Sequence, residues 1–135
     1  MRLALIFDKH RADTLGGYLE RAARHMGHAV DHFWTHEVSS IPPTYALYLR
    51  IDHGDDYSTL PAALRPCVFY AVDTHLKASW KKIRRIASGY DLVCCAQRQA
   101  AEALPNGAWL PFGCDPEFHG SVGLPLLRDV AFVGT

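Results

Sequence analysis

Three apolar runs in this 135-residue chain end in an aspartate that stands one or two places before a histidine: Asp8-Lys9-His10, Asp52-His53 and Asp73-Thr74-His75. A histidine oriented by a carboxylate can deprotonate a hydroxyl near neutral pH, so these residues are candidates for general acid–base work. The same residue types are nitrogen and oxygen ligands for a metal, but their spacing fits no standard metal motif such as HExxH. His75 and His10 are the candidate bases, with Asp73 orienting, and no metal site is assigned. Asp8, Asp52 and His53 are candidate substrate contacts, and Arg11 and Arg50 are candidate contacts for an anionic group. Gly16-Gly17 follow the first pair and permit close backbone approach at a helix N-terminus, a place that favours anions. They are not part of a GxGxxG run, which argues against a dinucleotide site, and tight packing of a helix on a sheet explains them equally well.

Each Asp–His pair ends an apolar run. Residues 3–7 precede Asp8, residues 45–51 precede Asp52, and residues 67–72 precede Asp73. Residues 3–7 are a continuous apolar run, as expected for a central parallel strand, and the other two read as strands as well. Residues 29–34, 92–96 and 108–110 read as further strands. Leu15, Leu19, Ala22, Ala23 and Met26 fall on one helical face, capped by Asp13 or Thr14, braced by Glu20 and Arg24, and ended by Gly27. Leu76, Trp80, Ile83, Ile86 and Ala87 form a second face, and residues 97–104 a short third helix. Tyr45, Tyr48, Phe69 and Tyr70 are expected in the core. Residues 39–44, with Pro42-Pro43, and the polar residues 53–66 read as loops, the latter with room for one helical turn. The alternation predicts an α/β, Rossmann-like fold: a mostly parallel sheet with helices on both faces. In such sheets the ligand crevice lies off the carboxyl ends of the strands, so the three pairs are expected on one rim.

Composition narrows the function classes. Lys and Arg total 14, as do Asp and Glu, and this absence of a basic excess argues against a general nucleic-acid binder. No run approaches the ~20 apolar residues of a membrane-spanning helix, and residues 3–7 are too short for a secretory signal. Cys67, Cys94, Cys95 and Cys114 contain no CxxC spacing and read as buried free thiols of a cytoplasmic protein. The second helix carries Lys77, Lys81, Lys82, Arg84 and Arg85, five of the 14 basic residues. It reads as a solvated face or, with Trp80, as a peripheral contact for anionic lipid or a phosphorylated acceptor through residues 76–87.

Residues 112–128 are rich in Gly and Pro and are expected to form a linker. Residues 129–135 read as a buried strand entering a glycine turn, the way nucleotide-binding βα units begin. The expected organisation is therefore one domain over 1–111, the linker, and the opening strand of a second domain.

Phe7-Asp8-Lys9-His10-Arg11, then Gly17-Tyr18-Leu19-Glu20-Arg21-Ala22-Ala23 with Gly27-His28, resembles the start of the CgeB-like (spore-maturation-type) glycosyltransferases. Leu49-Arg50-Ile51-Asp52, Asp73-Thr74-His75, Cys95-Ala96-Gln97, Trp109-Leu110-Pro111, Asp115-Pro116 and residues 129–134 continue the resemblance along the whole chain. The resemblance implies a GT-B architecture of two Rossmann-like domains facing across a cleft. The N-terminal domain would bind the acceptor. The C-terminal domain would bind a nucleotide-sugar donor, with no essential metal and no bound cofactor. On this expectation residues 1–135 are the acceptor side, inactive without the donor domain. The alternatives are a self-contained ligand-binding or regulatory α/β domain and an Asp/His metal-dependent hydrolase. A receiver-type regulatory site expects an acidic pair after the first strand, where Phe7-Asp8-Lys9 supplies a single acid.

Overall fold

The strands expected around the Asp–His pairs form one sheet. The structure, a computed structural model, describes residues 1–11, 13–54, 56–120 and 123; the strand expected at 129–135 lies outside them. Six strands, β1 (Arg2–Ile6), β2 (Ala29–Phe33), β3 (Leu47–Ile51), β4 (Cys67–Ala71), β5 (Leu92–Cys95) and β6 (Gly107–Trp109), lie in the order β2-β1-β3-β4-β5-β6. Every pairing is parallel, so the α/β, Rossmann-like class read from the sequence holds. Among the described residues four α-helices accompany them: α1 (Leu15–His25), α2 (Lys77–Ile86), α3 (Arg98–Glu102) and α4 (Pro116–His119).

The two faces of the sheet have separate cores. Leu3, Leu5 and Phe7 share one face with Val30 and Ile51, and Leu15, Leu19 and Ala23 of α1 close over them. Ala4, Ile6, Tyr48, Phe69 and Val93 occupy the other, under Ile83 and Ile86 of α2 and Ala100 and Ala101 of α3. Alternate residues of one strand thus enter opposite cores, the period-two geometry of a pleated strand. Each fully buried Leu, Ile or Phe contributes roughly 1.5–3 kcal/mol relative to exposure.

Local chemistry sets the helix ends. Of the two expected caps, Thr14 is used: its hydroxyl accepts from the Gly17 amide at 3.2 Å. The expected Glu20–Arg24 pair forms at 3.0 Å. Gly27 ends the turn after α1 with φ +79°, a backbone conformation that costs glycine little. Gly16 is buried against the Phe7 ring, where any Cβ would overlap it, so this glycine lets α1 approach the sheet.

Several elements depart from the sequence reading. Met26 and Leu76 lie in solvent, 73% and 47% exposed, as the residues just after α1 and just before α2. β3 starts at Leu47 rather than at residue 45. Tyr45 is still in the core, where its amide donates to the Tyr48 hydroxyl. Thr35–Ser40, with no apolar period to betray it, forms a 3-10 turn after β2. Within residues 112–120, part of the expected linker, one residue is tied to the domain. Asp115 is buried, pairs with Arg21 of α1 at 2.6 Å, and accepts the His119 amide at 2.8 Å to start α4. Three of the four cysteines are buried as expected, but Cys114 is exposed.

Gly107 provides a test of the β6 edge. A Cβ there would enter the backbone carbonyl of Ala101 at the end of α3, which cannot move without unravelling that turn. Gly107→Ala is expected to lower stability by ~2 kcal/mol. Gly113→Ala, with nothing within 4 Å of the added carbon, should stay within about 0.5 kcal/mol of the parent. Urea-unfolding midpoints of the two variants check the contrast.

Candidate functional site

The chain leaves β1 through α1 to β2 on one side, then returns past β1 to β3 and continues in the other direction. The carboxyl ends of β1 and β3 therefore flank a topological switch point, where α/β sheets open a crevice. Asp8 and His53 stand on its two sides. The Asp8 carboxylate accepts from the Thr35 amide at 3.0 Å and the Thr35 hydroxyl at 2.9 Å, which locks it against the turn after β2. His53 Nε2 lies 3.4 Å from Asp8 Oδ2, close enough for an ion pair but without an aligned hydrogen bond. Catalytic contacts of this kind are often long before a substrate is bound. Burial pushes the Asp8 carboxyl up, but the two Thr35 donors and the neighbouring His53 and His10 outweigh it, leaving the group below the ordinary carboxylate range.

Asp52 holds the floor of the crevice. Its Oδ1 accepts from the Gly54 amide at 2.9 Å, and its Oδ2 accepts from the Val72 and Asp73 amides at 3.1 and 3.3 Å. One buried carboxylate thus joins the end of β3 to the end of β4. Gly54 turns the loop with φ +95°, and the Asp73 carboxylate comes within 3.8 Å of the place its Cβ would fill. The Tyr57 hydroxyl is buried near this group without an aligned hydrogen bond. Burial raises its pKa, the Asp52 and Asp73 charges add to the rise, and a contact with Ser79 opposes it.

The predicted residues therefore divide. Asp8, His53, Asp52, Asp73 and His10 gather at the carboxyl ends, with His10 edge-on to Trp34 at 5.4 Å. His75 stands exposed at the same edge, and no ion pair joins it to Asp73 among the described residues. Of the rim histidines, His53 comes within ion-pair distance of a carboxylate, while His10 acts on Asp8 from farther away. Arg50 serves the fold, and Arg11 stays at the surface. Arg50 is fully buried and bonds Asp56 Oδ2 at 2.5 Å and the Ser58 hydroxyl at 2.7 Å, while Arg11 pairs with Asp13 at 3.0 Å. Lys9 pairs with Glu20 at 2.9 Å. Gly16 packs on Phe7, and the Gly17 amide is taken by Thr14.

Sequence reasoning missed Thr35, Tyr57 and Trp34. Thr35 and Tyr57 contact the site only through the fold, and Trp34 carried no spacing signal. A separate apolar hollow of about 290 Å³ lies between α1 and residues 110–116, lined among others by Leu15, Tyr18, Leu19, Tyr70, Leu110 and Pro111. None of the crevice residues lines it. Among the described residues no three His, Cys, Asp or Glu side chains converge as a metal would require. No described helix is long and apolar enough to cross a membrane.

Two measurements test this reading. Asp52→Ala leaves three backbone donors without their carboxylate and should cost ~3 kcal/mol in urea unfolding. For Asp8, the folded pKa lies below the unfolded one. Its stabilisation is therefore present above the unfolded value of about 4 and is lost as pH falls through the folded value. The stability gap between parent and Asp8→Asn should be full at neutral pH and shrink progressively below about pH 5. A gap independent of pH would show that the Asp8 charge does no work in the fold.

No family model, curated protein or solved structure matches the chain.

Proposed function

We propose that the chain is the acceptor-binding half of a glycosyltransferase built from two Rossmann-like domains, with a nucleotide-sugar donor held by the other half. The observation that supports this most is the Asp8–His53 pair across the switch-point crevice, an imidazole 3.4 Å from a carboxylate in the place where such sheets bind ligands. The resemblance to CgeB-like glycosyltransferases supplies the reaction class.

In this reading His53 takes the proton from an acceptor hydroxyl as that oxygen attacks the anomeric carbon. The nucleoside diphosphate leaves with the electrons of the broken glycosidic bond. Asp8 holds the imidazole and stabilises its charge once protonated, while Asp52 fixes the loop that carries it. The cations beside the crevice are already neutralised by Glu20, Asp13 and Asp56, so its free groups are carboxylates and imidazoles. These suit an acceptor that offers hydroxyl donors better than one that offers phosphate.

The test is glycosyl transfer by the whole protein carrying this chain, against a panel of nucleotide sugars and hydroxylated acceptors. His53→Ala should lower kcat by roughly 10²–10⁴-fold, the usual contribution of a positioned base. Asp8→Asn should lower it while leaving donor binding unchanged. Undiminished transfer by His53→Ala would remove the assignment. Acceptor binding with no transfer from any donor would favour the self-contained binding domain.

A further inference from the structure

The formal net charge of zero hides a separation of charge. Lys77, Lys81, Lys82, Arg84 and Arg85 all lie on α2, which carries no acidic residue, and all five are exposed. The chain has 14 cations and 14 acids, so outside α2 nine cations face fourteen acids. Elsewhere the cations are largely spent on ion pairs: Arg2, Lys9, Arg11, Arg21, Arg24, Arg50 and Arg65 each meet a carboxylate. Among the described residues, none of the five on α2 does.

Two further features mark this face. A notch of about 350 Å³ opens beside it, lined by Tyr57, Lys82, Arg85 and Ile86, with Lys82 Nζ 5.4 Å from the centre of the Tyr57 ring. Arg84 lies over the half-buried Trp80 ring at 5.6 Å, and Leu76 beside them is exposed. Tryptophan flanked by cations and an exposed aliphatic residue suits the boundary between lipid headgroups and water. Ile83 and Ile86 are buried in the sheet core, so α2 stays packed on the protein and presents only its charged side.

We propose that the exposed face of α2 docks the protein on a membrane surface rich in anionic phospholipid, with a headgroup phosphate seated in the notch between Lys82 and Arg85. A lipid surface meets this one face alone and leaves the acidic remainder pointing away. A polyanion that wraps the molecule would meet that acidic surplus. The inference stands on the charge distribution and the notch, and does not depend on the transferase reading.

Co-sedimentation of the full chain with vesicles tests it. Phosphatidylcholine vesicles containing phosphatidylserine should retain the protein at low salt, and pure phosphatidylcholine vesicles should not. High salt should release it, as screening demands. The double variant Lys82→Gln, Arg85→Gln should lower the partition coefficient about 30-fold, the loss expected for two cations at a charged bilayer. Lys81→Gln should lower it by a smaller factor. Arg24→Gln, on α1, should leave it unchanged. Circular dichroism confirms that the exposed-site variants remain folded. Equal binding to neutral and anionic vesicles would overturn the proposal. So would an undiminished Lys82→Gln, Arg85→Gln variant. Displacement from anionic vesicles by an equal charge of double-stranded DNA would reassign the face to nucleic acid.

Discussion

The reversal of direction at β1 governs the molecule. Parallel crossovers are right-handed, so connections that travel in opposite directions along a sheet lie on opposite faces. Here α1 covers one face, and α2 and α3 cover the other. The connections diverge between β1 and β3. The residues that follow these strands satisfy their polar groups from the sides. Asp8 does so through Thr35, and Asp52 through the amides of Gly54, Val72 and Asp73. The crevice is thus a consequence of strand order.

Support for the crevice reaches into the core. The loop that carries His53 rests on Arg50, whose guanidinium bonds the Ser58 carbonyl at 3.1 Å and hydroxyl at 2.7 Å, and the Asp56 carbonyl at 3.1 Å and carboxylate at 2.5 Å. Tyr90 donates to the same Ser58 carbonyl at 2.7 Å, and burial pushes its own pKa up to about 12. A buried charge whose partner is removed costs ~3–5 kcal/mol, so this arrangement is strongly constrained. An arginine in a central strand is expensive, and here only its two terminal nitrogens have work, since Nε meets no partner among the described residues. Here the work is to hold residues 56–58, and through them the turn that sets His53 against Asp8.

The sheet was legible because β1, β4 and β5 sit in continuous apolar runs closed by a polar residue. Even the Asp–His pairs could be placed, since strand ends follow from where the run stops. Strand bounds shifted by a residue at most ends because Phe7, Val72 and Ala96 are apolar yet lie beyond the ladder. What could not be read was pairing between segments distant in sequence. Asp73 is adjacent to Thr74 and His75, but Thr74 bonds Gln97 and His75 stands in solvent. His53 instead meets Asp8, 45 positions away, because β1 and β3 are neighbours in the sheet and not in the chain. Arg50 looked like a ligand contact because it precedes Asp52 at a strand end. The pleat turns it into the core, on the same side as Tyr48, a choice of face that one residue of register decides. The 3-10 turn at Thr35–Ser40 has no periodicity at all, so the residue that fixes Asp8 had no signal in the sequence.

Charge at the crevice and charge on α2 have opposite signs, and the chain places them side by side. Asp73, Thr74 and His75 end the β4 connection, and after Leu76 the basic helix begins. The acidic rim is not neutralised by that helix, because α2 is held by Ile83 and Ile86 with its cations directed to solvent. Charges of opposite sign this near in sequence would pair with each other in a flexible chain. They persist because each rests on a different rigid support: the rim on backbone amides clamped by Asp52, the cations on a helix anchored in the core. A body that binds α2 therefore also sets the distance and orientation of the crevice mouth relative to itself, with no moving part between the two surfaces.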